Sequence, residues 1–310
     1  MSVFQKGGND LKLLKLTRIA TYASVLVALT LLMVKAYAWW ETRSVGVLAS
    51  LLDSGLDLVA SIMILFAVRL AQVPADNEHR LGHGKAEPLA SLAQSVFIAG
   101  SALYLVLHAI DRLLFPKEIQ APEIGIWVML FSMLLTLSLV VFQRYVIRRT
   151  GSSAITSDSL HYVSDLGANF AVLIGLLLVS WLWVDAFLGL LIGVWIAWQA
   201  LKLAYVSSNQ LLDRELPDEV RAQIQEIVLS HPDVRGFNDL RTFRSGPTIF
   251  IQLDLELDDD LSLLEAHAIS EEVTANLLKQ FDNADVLIHQ EPVSLRDDPD
   301  HHQWEGQPNL

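Results

Sequence analysis

The chain has 310 residues, 52% of them hydrophobic, with a mean hydropathy of +0.39 and a formal net charge of −13. So apolar a composition excludes an ordinary soluble domain, and the acidic balance argues against nucleic-acid binding, which needs basic patches to neutralise phosphate. There is no cysteine, so disulfides and thiolate ligands are excluded and any metal site must use His, Asp and Glu.

Spanning a bilayer takes about 20 mostly apolar residues per helix. Six windows qualify, at roughly 19–40, 45–72, 86–114, 123–145, 154–181 and 184–207. Residues 1–18 are basic and run into the first window without a small-residue cleavage site, so they read as an N-terminal segment ahead of an uncleaved first helix. The loops between windows are short, and Trp39, Trp40, Trp127, Trp181 and Trp183 gather near one set of ends as an interfacial belt. Lys6, Lys12, Lys15, Arg18, Arg80, Lys85, Arg144, Arg148 and Arg149 fall on one side, whereas the other receives Arg43, Arg112 and Lys117. With an even number of spans, this bias predicts that both termini are cytoplasmic.

Near residue 208 the character changes. Residues 211–310 hold 7 Lys+Arg and 22 Asp+Glu, a balance of −15 against +2 for the remainder. An acidic domain beside a membrane favours cations. LPDEVRAQIQEIVLS (216–230) carries Val220, Ile224, Ile227 and Val228 at helical spacing. VRGFNDLRTFRSG (234–246) and TIFIQLDLELDD (248–259) read as a hairpin around Ser-Gly-Pro, the second strand alternating from Ile249 to Leu257. LSLLEAHAISEEVTANLLKQF (261–281) is a second amphipathic helix, and ADVLIHQEPV (284–293) a third strand. The expected architecture is a polytopic membrane protein, with a six-helix transmembrane domain over 19–207 and a cytoplasmic α+β domain of order αββαβ over 208–293. Residues 294–310 read as a disordered tail.

Within the second window, DSGLD places Asp53 and Asp57 at i and i+4, on one helix face. An ionised side chain in mid-bilayer costs at least about 2.5–3.5 kcal/mol, so something must offset two of them. The fifth window carries a matching pair, His161 and Asp165 in HYVSD. Two helices that each present two N/O ligands can share one ion, and four is the number a tetrahedral Zn²⁺ site uses. Asp158, one turn earlier, is either an entrance residue or an interfacial one. In the loop after the second window, Asp76, His79 and His83 are either three ligands on one folded turn or an ordinary solvated loop. His108 and His231 read as structural.

DSGLD, HYVSD, the loop motif HRLGHGKAE and the tail motif LLDRELPDE together resemble the cation diffusion facilitator family, most of all its bacterial zinc/ferrous-iron efflux proton antiporters, over about residues 12–292. The resemblance implies an inner-membrane homodimer with a metallochaperone-like cytoplasmic domain. It also implies a transport site at Asp53, Asp57, His161 and Asp165, and a second metal site at Asp76, His79 and His83. A binuclear cytoplasmic site would fall on Asn238, Asp254, His267, His289 and Glu291, with the Gln290 backbone nearby; Asn238 and Asp254 stand where the family's nearest members place His. Lys85 and Asp213 match a charge interlock at the dimer's membrane–cytoplasm boundary, and Leu160 a hydrophobic gate position.

The ligand chemistry adds a mechanism. A neutral imidazole binds metal and a protonated one does not, so protons compete for His161. The expected function is therefore proton-coupled export of a divalent cation, Zn²⁺ first, with Fe²⁺, Cd²⁺ or Mn²⁺ as competitors, and with the bilayer, protons and metal as partners. A membrane-bound metal sensor is the alternative, although a sensor needs no ion in mid-bilayer. A carrier of organic solutes would leave the tail ligands unexplained. There is no Walker A pattern or nucleotide-binding glycine loop, and the chain is not expected to be an enzyme.

Overall fold

A computed structural model describes residues 8–42, 45–114, 123–177, 182–281 and 283–295, and the chain divides into two compact units, Met1–Leu211 and Leu212–Leu310. The expected tail from 296 onward lies outside the described residues.

The first unit contains α1 (Gly8–Thr42), α2 (Val45–Ala71), α3 (Ala86–Leu114), α4 (Glu123–Thr150), α5 (Ser153–Leu177) and α6 (Leu182–Leu211). Helix α1 begins eleven residues before the first apolar window. Five of the six helices contain a stretch long and apolar enough to cross a membrane; α5 does not qualify among the described residues. The first half of α5 carries Asp158, His161 and Asp165 among serines, and α5 packs against α6, α4, α3, α2 and α1. A helix surrounded by its neighbours need not present an apolar face to lipid.

The bundle is built inside-out relative to a soluble one. Leu26, Met33, Leu52, Leu56, Val59, Phe66, Val96 and Leu134 are exposed, while Ala20, Ser24, Ala28, Ser54, Ser61, Ser91 and Ser95 are buried. Small and hydroxyl residues let helices approach where lipid offers no hydrophobic driving force between them. The α3–α6 seam is the clearest case: a Cβ on Gly193 would stand 2.8 Å from Val106 Cγ2 and 3.3 Å from the Val106 amide nitrogen. Between α4 and α5, Gly151 takes a left-handed φ of 63° and its N–H caps the Ile147 carbonyl at 2.8 Å. Ser152 follows as the α5 cap, accepting from the Ile155 N–H and donating to Glu87 Oε2 at 2.6 Å.

The second unit has the expected order: α7 (Asp218–Leu229), β1 (Gly236–Ser245), β2 (Thr248–Leu257), α8 (Leu263–Gln280) and β3 (Ala284–Pro292), with a short 3-10 turn at Val293–Leu295. Strand β2 is central, antiparallel to β1 and parallel to β3. Its alternation fixes which side is covered. Ile251, Leu253, Leu255 and Leu257 pack with Ile224 and Val228 of α7 and Ile269, Val273 and Leu277 of α8. The residues between them therefore point to the opposite side of the sheet.

Candidate metal centres

Three groups of ligand-type side chains assemble among the described residues, each with atoms within 4.8 Å of one another: Asp57, His161 and Asp165; Asp76, His79 and His83; and Asp254, His289 and Glu291.

The first group joins α2 to α5. His161 Nε2 is 2.9 Å from Asp57 Oδ1 and 3.7 Å from Asp165 Oδ2. The His161 and Asp57 side chains are 12% and 9% exposed, and that of Asp165 30%. Three of the four expected residues thus come together. Asp53 does not: one turn earlier on α2, about 6 Å of helical rise from Asp57, it is exposed and outside the 4.8 Å grouping.

Asp158, expected as either an entrance or an interfacial residue, lies inside the bundle. It is 1% exposed, accepts from Gln143 Nε2 at 2.8 Å, and has Ser61 Oγ at 3.5 Å. Gln143 also donates to Ser24 Oγ at 3.0 Å, and the Ser61 hydroxyl lies 2.8 Å from that of Tyr162. This network ties α5 to α1, α2 and α4 directly beside His161, and hydrogen bonding is what makes a buried carboxyl tolerable there. Leu160 packs with Ile98, Ala102, Ile196, Ala200 and Leu203 at the α3–α6 seam. Lys35, which the reading of motifs passed over, donates to Ser54 Oγ at 2.6 Å and to the Ser50 carbonyl at 3.2 Å. Its signal was available: it is an ammonium inside an otherwise apolar run of α1, about one turn before Trp39 and Trp40.

In the second group a folded loop does the positioning. Asp76 Oδ1 accepts the N–H of Glu78 at 2.9 Å and of His79 at 2.6 Å, an Asx-type turn that aims the carboxylate back at the imidazoles. The His79 N–H holds the Asp76 carboxyl below the usual carboxylate range. His79 Nδ1 stands 3.6 Å from Asp76 Oδ1, and His83 Nε2 3.5 Å from Oδ2. Gly82, at φ 78°, turns the chain between the two imidazoles. Lys85, just beyond, donates to the Leu211 carbonyl at 3.5 Å within the same unit. Asp213 opens the second unit with a left-handed φ of 56°.

The third group lies on the side of the sheet away from the helices. Register aligns Asn238, Asp254 and His289 across the three strands, with Glu256 and Glu291 paired one step along. His289 Nδ1 is 3.3 Å from Asp254 Oδ1 and 3.5 Å from Glu291 Oε1. Asn238 Nδ2 donates to Glu291 at 3.1 Å and lies 3.5 Å from Glu256. A bulge follows at once: Asp239 and Leu240 oppose Leu253 alone, with Asp239 at φ 44°. Glu256, buried to 4% and adjoining this group, was missed because a strand's i, i+2 partner is invisible until the register is known. His267 is the converse. It is exposed on α8 and outside the group, because α8 covers the other side of the sheet. Gln290, of opposite parity, confirms the geometry by donating to Ser270 Oγ of α8 at 2.9 Å. His231 is held by Glu272 at 3.1 Å, and His108 stacks on Tyr104 with ring centroids 5.9 Å apart.

A helical membrane unit with a buried acid–imidazole group, joined to an acidic α+β unit with a more exposed one, defines a cation-handling membrane protein. Comparison with known proteins agrees. Residues 21–212 match the cation efflux transmembrane domain and residues 216–293 the cation efflux protein cytoplasmic domain. The chain is 50% identical to a cation-efflux pump FieF of Pectobacterium atrosepticum, over 90% of this chain and 94% of that protein. It is 49% identical to the pump of the same name from Yersinia enterocolitica, over 94% and 98%. Among solved structures, the metal-bound C-terminal domain of the CzcD transporter from Thermotoga maritima aligns at 27% identity and TM-score 0.23, covering 25% of this chain and 95% of that one. The chain therefore belongs to the cation diffusion facilitator family of cation efflux proteins.

Proposed function

We propose that the chain exports a divalent cation, Zn²⁺ first and Fe²⁺ or Cd²⁺ as further substrates, from the cytoplasm in exchange for protons. The observation that carries this reading is the contact of His161 with both Asp57 and Asp165 across two membrane helices. A dication there neutralises carboxylates that the bilayer would otherwise penalise. Asp53, on the same face as Asp57, supplies the fourth ligand when α2 moves, completing a tetrahedral set. Metal binds only the neutral imidazole, so loading drives a proton off and reprotonation weakens the hold. With the group exposed to each side in turn, an inward proton gradient drives metal outward. The mixed oxygen–nitrogen set, without thiolate, suits a cargo that must be released.

The loop group and the cytoplasmic group are proposed as further ion sites, the second comprising His289, Glu291 and Asp254 with Asn238 as a weak member. The chain works as a homodimer in a bacterial inner membrane with both termini cytoplasmic, Lys85 and Asp213 forming its interlock and Leu160 its gate. The test is flux in pH-clamped proteoliposomes across a panel of divalent ions. Coupled metal uptake and counter-moving protons, both abolished in Asp57→Ala, are expected. Metal/proton exchange at the native rate by that variant, correctly folded, would overturn the assignment.

A further inference from the structure

Lys35 lies within the apolar span Leu13–Glu41 of α1. An ammonium at such a position is penalised unless it snorkels to an interface or finds a partner. It finds partners on α2: its Nζ donates to Ser54 Oγ and to the Ser50 carbonyl, 2.6 and 3.2 Å away. Ser54 is fully buried and sits in sequence between Asp53 and Asp57. Through Ser54 the Lys35 ammonium is held on the turn of α2 that carries Asp53.

The consequence is an electrostatic one. Asp53, Asp57 and Asp165 carry more negative charge than one dication cancels, and an ammonium is a compact, permanently available cation on a flexible stem. In a low-dielectric span, such a charge attracts the carboxylates and repels a bound metal far more strongly than in water. We propose that Lys35 is a tethered counter-cation of the carboxylate group, acting from the turn of α2 beside Asp53, competing with the transported ion and holding its affinity down. The inference rests on the reading of this group as the transport site. A helix bolt, in which Lys35 merely fastens α1 to α2 through Ser54, needs hydrogen bonds but no charge.

Zn²⁺ titration by calorimetry separates these roles. The full-length protein is used with His79→Ala, His83→Ala and His289→Ala, so that the signal reports the membrane group. Lys35→Met is expected to tighten Zn²⁺ binding roughly tenfold, Lys35→Arg to stay near the parent, and Lys35→Gln, which keeps a donor but no charge, to follow Met. A change below about threefold in both neutral variants overturns the proposal, as does a Gln variant that matches the parent. If Lys35→Met does not fold, the Gln and Arg pair decides. Asp57→Ala is titrated in parallel: loss of the signal supports the site, and its persistence overturns the reading of the site itself, independently of Lys35.

Discussion

His161 and Asp57 meet at 2.9 Å although 104 residues separate them in the chain. The contact fastens α5 to α2, and a polar layer of Asp158, Gln143, Ser61 and Tyr162 surrounds it on the α5 side. Replacing His161 by Gln keeps a hydrogen-bonding side chain but removes the nitrogen that discriminates between proton and metal. Loss of an outer-shell partner already costs about 10–100-fold in metal affinity, so loss of a side chain proposed as a direct ligand is expected to cost at least that. Calorimetry on the purified variant measures the loss, and size-exclusion chromatography shows that the fold survives.

In the cytoplasmic unit, Asn238 spends its amide as a donor to Glu291, with Glu256 also near. It offers an ion little beyond a neutral oxygen. Asn238→His adds an imidazole in register with Asp254 and His289. Zn²⁺ affinity at this group is expected to rise roughly tenfold. Unchanged affinity, measured with the membrane and loop groups disabled, would show that the bulge at Asp239 aims position 238 elsewhere.

The start of α8 supplies a pH-dependent term. Glu265 accepts from the Ser262 hydroxyl and the Ser262 N–H, at 2.7 and 2.8 Å, and the hydroxyl contact is the main reason its carboxyl sits below its ordinary value of 4.5. A carboxyl depressed in the folded state stabilises fully above its unfolded value, and that contribution is lost as pH falls through the folded one. Amides in the first turn of α8 should therefore exchange a few-fold faster in Glu265→Gln than in the parent at neutral pH. Below the folded value the two should converge.

Gly193 leaves no room for a side chain between α6 and α3. With Val106 Cγ2 at 2.8 Å and its backbone nitrogen at 3.3 Å from a built Cβ, Gly193→Val must push the helices apart. A loss of about 1–3 kcal/mol is expected, read as a lower midpoint in detergent melts. Because Leu160 packs on the same seam, transport should fall with it.

The spans were legible because the bilayer imposes a length and an apolar content that few other structures meet, and the cytoplasmic strands because β2 alternates without a break. The i, i+4 pairs were legible for a similar reason: helical periodicity puts Asp53 with Asp57, and His161 with Asp165, on shared faces whatever the helices pack against. In α5 the site announced itself through the polar first half of an otherwise apolar segment.

What remained was decided between elements. Which side of the sheet Glu256 and His267 occupy follows from strand register and from the placement of α8, neither of which is a local property. That Asp158 is buried and bonded to Gln143, that Lys35 leans onto Ser54, and that Asp53 stands apart from the three residues it was expected to join all depend on how helices approach across tens of residues. Periodicity is written into a segment by its own covalent geometry. Proximity between segments is a free-energy balance of packing and desolvation over the whole unit, and only the folded chain strikes it.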